Sequence, residues 1–163
     1  MFWGAFGFGI RSALWPMLGD PESARGGVSS RTVLACLQEN LPTILEPGSI
    51  FIQDNALTYT VKIVQDWIKE WAEENGVTLL DWSAYSPDLN PIENLWKLLK
   101  EEICNRFPEL SDMPKNQASY DALVRAAITV WDDFEESLLN RLLDSMVRRL
   151  EAVIKADDWY TKY

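Results

Sequence analysis

Apolar residues recur at helical spacing through much of this chain, broken by short continuous apolar runs. The clearest helical face is Ile92, Leu95, Trp96, Leu99 and Ile103. Its start is marked: Asn90 suits an N-cap, and Pro91 suits the first helical position, where a missing N–H costs nothing. Upstream, Val61, Val64, Trp67, Ile68 and Trp71 mark a second amphipathic helix, which Asn75-Gly76 should end. Val33, Leu34, Leu37 and Leu41 mark a third, capped by Ser29 or Ser30, with Pro42 expected to bend or end it. Near the C-terminus Tyr120–Glu136 reads as one helix. Leu138, Leu139, Leu142, Leu143, Met146, Val147 and Leu150 read as one last helix.

The continuous runs read as strands. Ile50-Phe51-Ile52, after the turn Pro47-Gly48, predicts a short buried strand, and Val77–Trp82 predicts another. Met1–Leu18 fits two strands around a glycine-rich turn near Gly9–Arg11; it lacks the basic start and cleavage site of a targeting segment. Its uninterrupted apolar part is too short to span a bilayer, so no membrane partner is expected. Gly19-Asp20-Pro21-Glu22 through Gly26-Gly27 is loop, and without GxxxxGK[ST] the glycine pair is no phosphate loop. Met113–Ala118 is a polar connector. The order β-β-α-β-α-β-α fits an α/β core.

Candidate chemistry sits where strand and helix begin or end. Asp54 and Asn55 follow the Ile50–Ile52 run, and a carboxylate at the carboxyl end of a buried strand is where open α/β sheets place ligands. A turn or cap role for Asp54 remains open. Glu93 falls on the first turn of its helix, behind the rigid loop Ser86-Pro87-Asp88. There too a structural alternative stands: a capping box with Asn90, plus an i,i+4 pair with Lys97.

Composition narrows the chemistry. The chain has no histidine, which removes histidine metal ligands and histidine general bases. Cys36 and Cys104 make neither a disulfide framework nor a zinc site, and suit a reducing compartment. At 163 residues and 47% hydrophobic, the chain has length for one domain with a core. A net charge of −10 is wrong for a stand-alone DNA-binding module, which should show a basic face. The tryptophans could stack on bases, but at helical spacing core packing is the simpler account. Arg141, Arg148 and Arg149, with Lys155 and Lys162, are the one concentration of positive charge; they could meet phosphates, but a solvated helix end that complements the dipole is the simpler reading.

The stretches IQDNALTYT and YSPDLNPIENLWKLLK together closely resemble the catalytic domain of mariner-type transposases, the DDE superfamily endonucleases. FWGAFG resembles that family's second strand, and SMVRRLEAVIKADDWYTKY resembles the tail of its fungal members. The resemblance covers nearly the whole chain; its SPDLNPIENLW block is specific, and its QDNA block alone would be weak. It implies an RNase H-like core, a mixed sheet flanked by helices, over residues 1–110, with residues 111–163 as a helical extension of the same domain.

It also implies three carboxylates holding two Mg²⁺ (or Mn²⁺) ions ~4 Å apart for DNA strand cleavage and transfer. Asp54 matches the second carboxylate and Glu93 the third, with Asn55, Asn90 and Asn94 in support. The 38 residues from Asn55 to Ile92 suit the family's longer-spaced branch. Tyr59 stands where the family usually has histidine. No position matches the first Asp, which would lie before Met1 on a strand the chain lacks. The resemblance therefore implies a fragment, impaired in catalysis, whose intact parent acts on transposon ends and target DNA in the nucleus and can form a homodimer. The alternative is a non-catalytic, transposon-derived interaction module.

Overall fold

The computed structural model describes residues 1–23, 26–53, 61–80 and 89–155. They form two compact units, residues 1–3 with 15–85 and residues 4–14 with 86–163. The secondary structure is mixed α/β, in short strands and longer helices.

In the first unit β1 (Phe2–Trp3) pairs antiparallel with β4 (Trp15–Pro16). Helix α1 (Ser30–Ile44) starts on a reciprocal capping box: the Ser29 hydroxyl accepts from the Thr32 N–H, and the Thr32 hydroxyl accepts from the Ser29 N–H. Pro42 does not end this helix, which runs on through Thr43 and Ile44. So near the C-terminus the proline removes a single ladder bond, and the Leu45 N–H still reaches the Leu41 carbonyl at 3.0 Å. Val33, Cys36, Leu37 and Leu41 are buried on its inner face, and α1 packs on α2 (Lys62–Glu74) through the latter's Val64, Ile68 and Ala72. Burial pushes the Cys36 thiol up to about 12, with a smaller push from Glu39, so it behaves as a small apolar group. Trp67 and Trp71 stack on each other, centroids 5.9 Å apart. Asn75 closes α2, and Gly76 turns the chain at φ +65°, a conformation that penalises a Cβ.

Strand β5 (Ile50–Ile52) pairs in parallel with β6 (Thr78–Leu80), in the register Ile50↔Thr78, Phe51↔Leu79, Ile52↔Leu80. The strand is not buried as its sequence suggests. Ile50 is 65% exposed, and Ile52 and Leu80 are exposed with it. Each strand has one partner among the described residues, and the alternate side chains of both strands, Ile50 and Ile52 on one and Thr78 and Leu80 on the other, face an exposed side.

In the second unit β2 (Phe6–Gly7) and β3 (Ile10–Arg11) pair antiparallel around the turn at Phe8-Gly9. The described strands thus form three two-stranded ladders instead of one mixed sheet. Helix α3 (Pro91–Arg106) buries Leu95 and Leu99 and is followed by a 3-10 turn, Pro108–Asp112. Helix α4 (Gln117–Asp133), capped by Asn116, begins and ends three residues before the span its apolar spacing suggests. Its fully buried Trp131 is the centre of this unit: the indole stacks on Trp96 at 5.4 Å and donates to the Ser12 carbonyl at 2.8 Å. A Cβ on Gly4 would come within 2.8 Å of that indole, so only glycine fits there. The Arg11 guanidinium caps the end of α4, donating to the carbonyls of Trp131, Asp132 and Phe134 at 2.7–2.9 Å.

The last apolar stretch is two helices, α5 (Glu136–Asp144) and α6 (Met146–Lys155), not one. Ser145 makes the break: its hydroxyl bonds back to the Leu142 carbonyl at 2.5 Å and competes with the helical ladder.

Candidate functional site

The start of α3 is built as its sequence suggests. Asn90 is extended (φ −88°, ψ 107°), and its Oδ1 accepts from the Ile92 N–H at 3.4 Å, a long bond. Pro91 occupies the first helical position and is buried. Leu95 and Leu99 anchor the helix below. Burying each contributes about 1.5–3 kcal/mol.

Glu93 lies on the third helical position, exposed. Neither structural alternative for its side chain is realised. The Asn90 cap has no reciprocal bond from Glu93, and Lys97 leans the other way, 3.9 Å from the Glu101 carboxylate. Among the described residues nothing hydrogen-bonds or ion-pairs with the Glu93 carboxylate. The positive end of the helix dipole favours an acidic side chain there by about 0.3–1 kcal/mol.

Asn94, one residue on, faces inward. Its Oδ1 accepts from Arg149 Nη2 at 2.6 Å. Arg149 is only 2% exposed, so it is not part of a solvated basic helix end; its Nε also donates to the Ser145 hydroxyl at 2.7 Å. The signal was present in the sequence: Leu139, Leu142, Met146, Arg149 and Val153 follow a 3,4,3,4 spacing, which puts the arginine on the inner stripe.

Asp54, Asn55 and Tyr59 lie outside the described residues. What precedes Asp54 is described. The chain leaves β5 and β6 at the same end, since the two are parallel, and the carboxyl end of such strands is where ligands bind. Gln53, next to Asp54, has a buried Oε1 with no hydrogen-bond partner. A buried acceptor left unpaired is costly and marks a place where a donor or a cation would be favourable. Among the described residues no three Asp, Glu, Cys or His side chains cluster as a metal site. Each unit, taken by itself, offers an oxygen donor of the type that Mg²⁺ and Mn²⁺ prefer: the unsatisfied amide oxygen of Gln53 in the first, and in the second the Glu93 carboxylate, which has no partner among the described residues.

A buried carboxylate that the sequence gives no sign of is Asp20. Asp20 is 5% exposed and accepts from the Ser29 hydroxyl, the Glu22 N–H and the Arg31 guanidinium at 2.5–3.1 Å. These bonds, led by that of Ser29, hold its pKa below the ordinary 3.8. Among the described residues no helix is long and apolar enough to cross a membrane.

Residues 23–114 match the family model described as DDE superfamily endonuclease, a span that contains both Asp54 and Glu93. The chain is similar to the Tc1 transposase of Caenorhabditis elegans, 36% identical over 116 residues, which are 71% of this chain and 38% of the relative. It is similar to the Tcb2 transposase of Caenorhabditis briggsae, 40% identical over 114 residues, 70% of this chain and 37% of the relative. The chain thus spans less than two fifths of these relatives. Its fold is similar to that in the crystal structure of the Mos1 Strand Transfer Complex, with a TM-score of 0.61 at 19% identity, covering 93% of this chain and 44% of that one.

Proposed function

Because the chain belongs to the DDE superfamily endonucleases, as a mariner-type transposase catalytic domain, we propose that it is the later part of a module that cuts and rejoins DNA strands. In this reading Asp54 and Glu93 are the second and third metal-holding carboxylates, and Asn55, Asn90 and Asn94 support them. Bound there, Mg²⁺ or Mn²⁺ would activate water or a 3′-OH and stabilise the leaving oxygen of the phosphodiester. The chain's own part is positional. Asn90 and Pro91 set the direction of α3, Leu95 and Leu99 anchor it, and Glu93 stands on its first turn with its oxygens uncommitted. That uncommitted carboxylate is the observation that carries the reading. A side chain serving only as a cap would have spent those oxygens on backbone N–H groups.

In this reading the core is RNase H-like, and its β5–β6 pair has room beside it for the strand that brings the first Asp. The single pairing of β5 and β6 and their exposed Ile50, Ile52 and Leu80 support this. Open strand edges with apolar faces invite another strand. Without that first Asp, Asp54 and Glu93 alone would hold metal weakly and cleave poorly. The substrate, transposon ends and target DNA, places the intact parent in the nucleus.

The test begins with the native protein's true N-terminus, by intact mass and peptide mapping. A form extended upstream through a strand bearing an Asp should nick supercoiled DNA with Mg²⁺ or Mn²⁺. Asp54→Ala and Glu93→Ala should each abolish nicking. Strong metal-dependent nicking that survives both substitutions overturns the site.

One observation favours a second reading, a non-catalytic interaction module or homodimer: Val147, Leu150 and Ile154 form an exposed apolar stripe on α6, Ile154 at 76%. A concentration-dependent self-association, lost in Leu150→Glu and indifferent to Asp54→Ala and Glu93→Ala, would support it. A monomer at all concentrations, with no partner in pull-down, would remove it.

A further inference from the structure

Arg149 is more deeply buried than any other charged side chain among the described residues. A guanidinium out of water is unfavourable unless its N–H groups are met. Here they are met from two directions. Nε donates to the Ser145 hydroxyl at 2.7 Å, and that hydroxyl passes on to the Leu142 carbonyl at the end of α5. Nη2 donates to Asn94 Oδ1 at 2.6 Å, on the first turns of α3. One planar group therefore fastens the α5–α6 junction to the start of α3.

That start needs fastening. Its one side-chain cap bond, from Asn90, is long at 3.4 Å, and the Glu93 side chain adds no cap of its own. Helix ends held only by local bonds fray. A carboxylate that binds a ligand must be held by its surroundings, because its own oxygens are reserved.

We propose that Arg149 is a positioning residue for Glu93: through Asn94 it locks the first turn of α3, so that the carboxylate is presented from a fixed backbone. The proposal rests on the reading of Glu93 as a metal-holding residue. The geometry demands arginine. A lysine keeps the charge but has one nitrogen, and cannot engage Ser145 and Asn94 along two edges of a plane.

The test uses the 163-residue chain with Arg149→Lys, Asn94→Ala and the double variant. The first readout is residue-resolved amide exchange at Trp96 and Lys97, which close the first turns of α3, against Val130 and Trp131 in α4. The second is Mn²⁺ affinity, with Glu93→Gln as control. Each single variant should speed exchange at Trp96 and Lys97 by about tenfold, leave Val130 and Trp131 unchanged, and weaken Mn²⁺ binding by about tenfold. The double variant should add little to Arg149→Lys, because that change already removes the tie to Asn94.

Equal acceleration in α3 and α4 would mean a general structural role and overturn the proposal. So would unchanged exchange at Trp96 and Lys97. If Glu93→Gln weakens Mn²⁺ binding and Arg149→Lys does not, the positioning role falls alone. If Glu93→Gln leaves Mn²⁺ binding unchanged, the reading of Glu93 falls and the positioning role with it, even where the exchange data show the tie to α3.

Discussion

The starts of α1 and α3 each have an acidic side chain at hand, Asp20 from the preceding loop and Glu93 on the first turn, and use them in opposite ways. At the start of α1, Asp20 is buried and spends its oxygens on Ser29, Glu22 and Arg31, and the Ser29–Thr32 box closes the cap. At the start of α3, Glu93 is exposed, and no side chain or backbone group takes up its carboxylate among the described residues. The first arrangement consumes charge to fix a loop onto a helix. The second uses a proline, one long cap bond and apolar anchors for the same mechanical purpose and leaves the charge over. A carboxylate free to meet a cation is recognised by what the structure declines to do with it.

The largest effect expected from breaking this contrast is on cleavage. In the upstream-extended form, Glu93→Gln should reduce Mg²⁺-dependent nicking by on the order of 10²-fold or more, while Asp20→Asn leaves the nicking rate of the folded protein unchanged. On stability the ranking reverses. Asp20→Ala should lower Tm, because it removes the buried acceptor of the Ser29 hydroxyl and the Glu22 N–H, whereas Glu93→Gln should stay within about 0.5 kcal/mol of the parent.

The pH dependence follows with its sign. The folded Asp20 has a lowered pKa, so its contribution is fully present above the unfolded value of 3.8 and is lost as pH falls through the lower folded value. Acid unfolding of the parent should therefore steepen below pH 3.8, and Asp20→Asn should flatten that limb, as followed by circular dichroism. The smallest difference concerns the caps. Ser29→Ala should cost about 1–2 kcal/mol and Asn90→Ala nearer ~0.5, since Ser29 belongs to a reciprocal box and also donates to buried Asp20 whereas Asn90 makes one cap bond; urea midpoints at constant m would check this.

Much of the α3 start was legible because its signals are local. Asn90, Pro91 and the spacing from Ile92 to Ile103 all lie within a few turns, and each acts through backbone geometry that the residue type alone determines. The existence of β5 and the end of α2 at Asn75-Gly76 were legible for the same reason. What failed depended on partners far along the chain. A three-residue apolar run cannot say whether one face or both are covered, and β5 is covered on less than its sequence suggests. Pro42 is expected from sequence to bend or end its helix, but its effect depends on how near the helix end it falls. The split at Ser145 and the burial of Arg149 were hidden because serine and arginine are common on exposed helices, and only the 3,4,3,4 spacing betrayed the inner position. Asp20 gave no signal, since its value lies in Ser29 and Arg31 reaching it across a loop.

The Arg11 clamp on the end of α4 has a consequence for how the protein comes into being. Its partners lie 120 residues or more further along the chain. At about 5–20 residues per second, a ribosome needs roughly 6–24 s to travel from Arg11 to Trp131. For that interval the hairpin, with Phe8 and Ile10 outward, waits beside the ribosome with no α4 to close upon. The nascent chain is then a client for any chaperone that recognises apolar, strand-forming segments, and a synonymous change that slows translation between the two would lengthen the wait.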